Sequence, residues 1–135
     1  MEEVLGMVIR PDVVYGAYNS IDKEILKNSR IIYLTPKGKV LTQEKVKNLS
    51  KEKNIILLCG HYEGIDQRVL DKLEVEEISV GDYILTGGEI PAMIVIDAVS
   101  RNVEGVISKD SLEEESFSNN NRNVRIPTIY KTRNI

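Results

Sequence analysis

Five glycines fall in two short stretches, Gly60 and Gly64 in "GHYEG" and Gly81, Gly87 and Gly88 in "VGDYILTGGE", each directly after an apolar run. Glycine lets main chain approach a ligand closely and offers it amides and carbonyls instead of side chains. That is the chemistry of holding a ligand rather than attacking it. A third stretch, "LTPKG" from Leu34 to Gly38, follows another apolar run. Any one of these reads as a plain turn; three at the ends of strands favour a binding site. It is not a familiar phosphate loop, because neither G-x-G-x-x-G nor G-x-x-x-x-G-K-[ST] occurs. Lys37 and Lys39 read as solvated turn residues, and the missing fingerprint argues against a nicotinamide-dependent oxidoreductase.

Reactive side chains are few. The single cysteine, Cys59 in "IILLCG", excludes an intrachain disulfide and a cysteine-built zinc site, and reads as a buried, inert thiol. His61, the one histidine, reads as a loop surface residue rather than a catalyst. Glu63 and Asp82 are the acids of the glycine loops; either suits a cationic group or a target base, but loop carboxylates more often cap nearby helices.

The elements that must position these loops follow from periodicity. "RPDVVYGAYNSIDKEILKN" carries Val14, Ala17, Tyr18, Ile21 and Ile25 at three- and four-residue spacing, with Pro11 in its tolerant first turn, and predicts one amphipathic helix. "RIIYL" predicts a buried strand ending at the Pro36–Gly38 turn. Thr42 caps a second helix, "TQEKVKNLSKE", with Leu41 and Val46 as a hydrophobic staple. "NIILLC" is the next strand, a short helical piece covers Ile65 to Lys72, and "VEEISV" is a third strand. "GGEIPAMIVIDAVSRNV" is apolar nearly all round and predicts a buried helix, with Pro91 in its first turn. Helices alternating with apolar strands give an α/β domain: a mostly parallel sheet with helices on both faces. Ligands gather beyond the carboxyl ends of such strands, which is where all three loops lie.

With 135 residues, 41% hydrophobic and 29% charged, the composition is that of one soluble globular domain. No stretch approaches the roughly 20 apolar residues that cross a bilayer, and "MEEVLGMVIRPD" carries acids where a secretory leader carries positive charge. A cytoplasmic protein with no membrane partner is expected. The formal net charge of −3 argues against gripping nucleic acid with the whole surface. It conceals a gradient, since Glu104 to Phe117 is acidic whereas Ser118 to Ile135 holds Arg122, Arg125, Lys131 and Arg133 with no acid. The basic tail is either a solvated terminus or an arm for RNA.

The segments "LCGHYEGIDQRV" and "EISVGDYILTGGEIPAMIVIDAVSR" resemble bacterial tRNA (guanine-N1)-methyltransferases, members of the knotted SPOUT superfamily. The resemblance runs from Gly6–Met7 through "IYLTPKGK" to Ser116–Phe117 and thins beyond, where "IYKTRNI" is similar to an interdomain linker. It implies a deep C-terminal trefoil knot built from the same three loops and wrapped around S-adenosylmethionine, which leaves as S-adenosylhomocysteine. It also implies a homodimer acting on tRNA. Carried over by position, Gly60, Val80, Gly81, Asp82, Tyr83, Ile84 and Leu85 line the adenosine side. Leu34, Pro36, Tyr62, Gly87 and Gly88 neighbour the rest of the cofactor.

Methylating guanine N1 requires a base to remove its proton and a cation to meet the charge that builds on O6. The resemblance places Arg101 as the cation. Glu115, in "EEESF", stands where the family has an aspartate base, and its extra methylene is a departure from that pattern. Without the resemblance, the glutamate run reads as solvated and Arg101 as a C-terminal helix charge. Residues 1–117 are expected to form the knotted core and 118–135 a polar, basic, linker-like tail. Family members start with a strand and a glycine-rich segment ahead of Gly6 and end with a helical RNA-binding domain beyond Ile135. A partial chain is therefore expected, with a non-catalytic cofactor- or RNA-binding fragment as the alternative function.

Overall fold

A computed structural model describes residues 8–61 and 64–108. Tyr62, Glu63, Glu115 and the expected 118–135 tail lie outside the described residues. In chain order the elements are α1 (Pro11–Asn19), α2 (Lys23–Lys27), β1 (Ser29–Val40), α3 (Gln43–Leu49), β2 (Asn54–Leu58), α4 (Gln67–Lys72), β3 (Glu76–Ser79) and α5 (Glu89–Ser100).

The three strands form one sheet in the order β2-β1-β3, and both pairings are parallel. Alternation along β1 assigns its side chains to opposite faces. Ile32 and Leu34 pack with Val46 and Leu49 of α3, Ile78 of β3 and Ala92, Val95 and Val99 of α5. Tyr33 points the other way, into Val14 of α1 and Ile65, Val69 and Leu70 around α4. Helices therefore cover both faces, as the alternating pattern predicts. Burying a side chain such as Ile32 or Leu49, both at 0% exposure, contributes about 1.5–3 kcal/mol, whereas an exposed pair such as Arg10–Asp12 contributes about 0–1. The two apolar layers hold the sheet, not its surface ion pairs.

Local signals placed α3 correctly: the Thr42 hydroxyl accepts the Lys45 N–H at 3.2 Å, and Leu41 packs against the cluster that contains Val46. Three expectations are corrected. The single helix over residues 10–28 is two, because Asp22 caps a new start by accepting the Glu24 N–H at 2.8 Å and the Ser20 hydroxyl bonds back to Ala17 O. Side chains that hydrogen-bond their own backbone compete with helix continuation. Of the five expected apolar contacts only Val14 is buried, and Ile25 is exposed.

The second correction concerns β1, which does not end at Pro36–Gly38. Leu34 and Lys39 both pair with Ile78, so residues 35–38 leave the ladder and Lys39 rejoins it at the same partner. The third concerns α5. Pro91, Ala92, Val95 and Val99 are buried at helical spacing, but Ile90, Met93, Ile94 and Ile96 stand 41–60% exposed. The helix is apolar all round and covered on one side only.

Candidate functional site

Beyond the carboxyl ends of the strands lies a cleft of about 510 Å³. Its walls come from the β1 excursion (Leu34 to Lys37), the loop after β2 (Gly60, His61, Gly64) and the segment after β3 (Val80, Gly81 and Tyr83 to Gly88), and Pro91 of α5 also lines it. Three loops far apart in sequence thus meet in one concavity. Leu34, Pro36, Gly60, Val80, Gly81, Tyr83, Ile84, Leu85, Gly87 and Gly88 all line it. Asp82 is exposed and does not, and Tyr62 lies outside the described residues.

The glycines are required by close approach between the walls. A Cβ on Gly88 would stand 2.8 Å from Cys59 Cα and 3.0 Å from Gly60 N, and the Gly88 N–H donates to Gly60 O at 2.9 Å. Main chain, rather than side chain, is what the cleft presents there. Gly64 has φ +126°, a left-handed conformation that glycine alone adopts without strain.

After β3 the backbone is held by two side chains. Ser79, 2% exposed, both donates to Gly81 O at 2.9 Å and accepts the Gly81 N–H at 3.1 Å. Tyr83 folds back over Gly81 and its hydroxyl donates to Val80 O at 3.2 Å. Ile84 is left 82% exposed at the rim, an apolar surface open to a ligand.

Sequence reasoning missed Tyr33, Ser79 and His61 as cleft residues. Tyr33 lies beneath Gly60 and Gly64; burial first, then the charge of Glu77, pushes its phenol upward against the hydrogen bond to the Ile65 backbone. Only its alternation against Ile32 and Leu34 marked it. The hydroxyl of Ser79, directly before "VGDY", was a turn signal. His61 Nε2 lies 2.6 Å from Glu89 Oε1 across 28 residues of chain, a pairing no local pattern reveals. Burial first, then the Glu89 charge, raises the Cys59 thiol and keeps it protonated, a poor nucleophile.

Among the described residues that line the cleft, Lys37 and His61 are basic and none is acidic. No three His, Cys, Asp or Glu side chains among the described residues could hold a metal ion together. Arg101 caps the far end of α5, about 20 Å of helical rise from Gly88, and does not line the cleft.

A parallel sheet covered on both faces, with a main-chain-walled cleft where its strands end, defines an α/β domain with its cleft where such domains hold small molecules. Residues 3–135 match the family described as tRNA (Guanine-1)-methyltransferase TrmD, and the chain belongs to that family. It is 56% identical over 118 residues to the tRNA (guanine-N(1)-)-methyltransferase of Alkaliphilus oremlandii, an alignment covering 83% of this chain and 47% of that protein. The protein of the same name from Clostridioides difficile is 52% identical over 117 residues, covering 85% of this chain and 51% of its own. The chain spans about half the length of these curated relatives.

Proposed function

We propose that this chain is the cofactor-binding and catalytic part of an S-adenosylmethionine-dependent methyltransferase acting in the cytoplasm on N1 of the guanosine 3′ to the anticodon in tRNA. The observation that carries the reading is the cleft, together with membership of the family. No described helix is long and apolar enough to cross a membrane.

The residues fit such a donor. A volume of about 510 Å³ suits a ligand of nucleoside size, small-molecule sites spanning about 300–1,000 Å³. Val80, Ile84 and Leu85 supply apolar contact for a flat base, and Gly60, Gly87 and Gly88 supply main-chain polar groups. When bound, S-adenosylmethionine supplies an electrophilic sulfonium methyl and leaves as S-adenosylhomocysteine. We take the three loops to be the turns of a deep trefoil knot, a reading supported by membership of the family and by the convergence of all three loops on one cleft. Residues 1–117 are then assigned to the knotted core, and 118–135 to a polar, basic, linker-like tail.

Two tasks fall to side chains. Guanine N1 becomes a nucleophile only as its proton leaves, so we assign Glu115 to accept that proton. Arg101 is assigned to meet the negative charge that builds on O6, where a fixed cation lowers the barrier. Within one chain Arg101 stands at the wrong end of α5 to do so. A second copy resolves the distance. The uncovered apolar side of α5 (Ile90, Met93, Ile94) is exposed in the single chain, and we assign it to a two-fold interface in which antiparallel pairing of α5 would set Arg101 of one copy near the cleft of the other.

Calorimetry with S-adenosylmethionine, followed by methyl incorporation into unmodified tRNA, tests the proposal. Saturable binding and transfer to guanine N1 are expected. No binding at millimolar donor defeats it, and binding without transfer in the presence of full-length tRNA turns the chain into a non-catalytic binding fragment.

A further inference from the structure

The geometry points to His61 and Glu89 as a clasp that ties two walls of the cleft together and sets how far they open to the methyl donor. The inference rests on the cleft being the donor site. His61 belongs to the loop after β2 and Glu89 is the first residue of α5, so their contact joins elements that have no covalent reason to stay together.

The pair lies across Gly87. A Cβ there would stand 2.6 Å from Glu89 Oε2, 2.7 Å from His61 Cε1 and 2.9 Å from His61 Nδ1. Imidazole and carboxylate therefore pack directly on the Gly87 main chain, and the 86–88 turn cannot swing outward without parting them. Beneath the pair, His61 and Gly87 form an antiparallel bridge, and Gly88 N–H donates to Gly60 O at 2.9 Å. The side chains cover this narrow backbone seam.

The two partners have different roles. His61 lines the cleft and Glu89 does not, so the imidazole is the member of the pair that faces the ligand space. Glu89 sits in the first turn of a twelve-residue helix, where the helix dipole favours a negative charge. Its own backbone N–H and then His61 hold the carboxyl below the ordinary range, so it stays ionised and orients the ring through Nε2.

Exposure decides between a structural and a positioning role. The two side chains are 49% and 57% exposed, and such pairs contribute little to global stability. What they can control is local opening of the seam, whose residues Gly60, Gly87 and Gly88 line the cleft. His61 is thus a positioning residue, acting on the donor through the loop it pins.

The test compares the parent chain with His61→Ala, Glu89→Gln and the double variant. Hydrogen exchange at the buried Gly88 amide, read without ligand, is expected to quicken by about two- to fivefold in each single variant and no further in the double. Affinity for S-adenosylhomocysteine should fall by a similar factor, Tm should stay unchanged, and His61→Gln should recover part of the loss. Unchanged exchange in the single variants, or effects that multiply in the double, overturns the clasp. If the parent binds no S-adenosylhomocysteine, the donor-site reading fails instead, and the Gly88 exchange pattern alone then decides whether the two loops are clasped.

Discussion

Gly38 rests against the main chain of Ile78: a Cβ on Gly38 would stand 2.5 Å from the Ile78 nitrogen. The contact lies where residues 35–38 return to the ladder and Lys39 pairs with the same Ile78 that Leu34 has already met. Backbone on both sides of the contact leaves no flexible side chain to yield. It is the closest constraint on the excursion that forms one wall of the cleft.

Gly38→Ala should therefore destabilise the fold by about 1–3 kcal/mol, the range of forced overpacking, and weaken donor binding because the wall moves. Urea denaturation and calorimetry measure the two effects. Gly16→Ala, with nothing within 4 Å of the added carbon, is the control and should be neutral or stabilising.

Met93 is 60% exposed on the uncovered side of α5, so Met93→Glu should leave the folded chain intact while placing like charges across the proposed two-fold interface. Light scattering should show a dimeric parent and a monomeric variant, and methyl transfer should be lost. A parent that is monomeric at all concentrations contradicts the paired site.

Arg101→Ala should lower kcat by about 100- to 1,000-fold, the loss seen when one charge-stabilising donor is removed, without changing donor affinity. Gly88→Ala, whose new carbon meets Cys59 Cα at 2.8 Å, should abolish donor binding in its own cleft. Mixing the two inactive variants should restore about a quarter of the sites if each site takes Arg101 from the opposite copy of a two-fold dimer. No recovery on mixing places both functions in one chain.

Glu76 joins Arg30 at 2.8 Å and also contacts Lys45. Burial pushes its carboxyl upward, but the Lys45 hydrogen bond, the charges of Arg30 and Lys45 and the Arg30 hydrogen bond outweigh it, and the pKa lies below the ordinary 4.5. A depressed folded value stabilises the fold above the unfolded pKa, and that stability is lost as pH falls through the folded one. Glu76→Gln should cost about 0.5–1 kcal/mol at pH 7 after solvent screening. The difference from the parent in urea midpoint should shrink as pH drops below 4.5.

Much of this molecule was decided along the chain itself. The two-residue alternation of Ile32, Tyr33 and Leu34 set the faces of the central strand, the Thr42 hydroxyl set the start of α3, and glycines marked the loops that line the cleft. Those properties depend on a few neighbouring residues: torsional preference, side-chain period and local hydrogen bonds. Packing alone decided that Lys39 would rejoin the ladder at Ile78, that α5 would cover one side and expose another, and that His61 would meet Glu89. Each of these joins segments far apart in sequence, and the free energy of such contacts arises only after the layers have closed and main chain from one loop lies against main chain from the next.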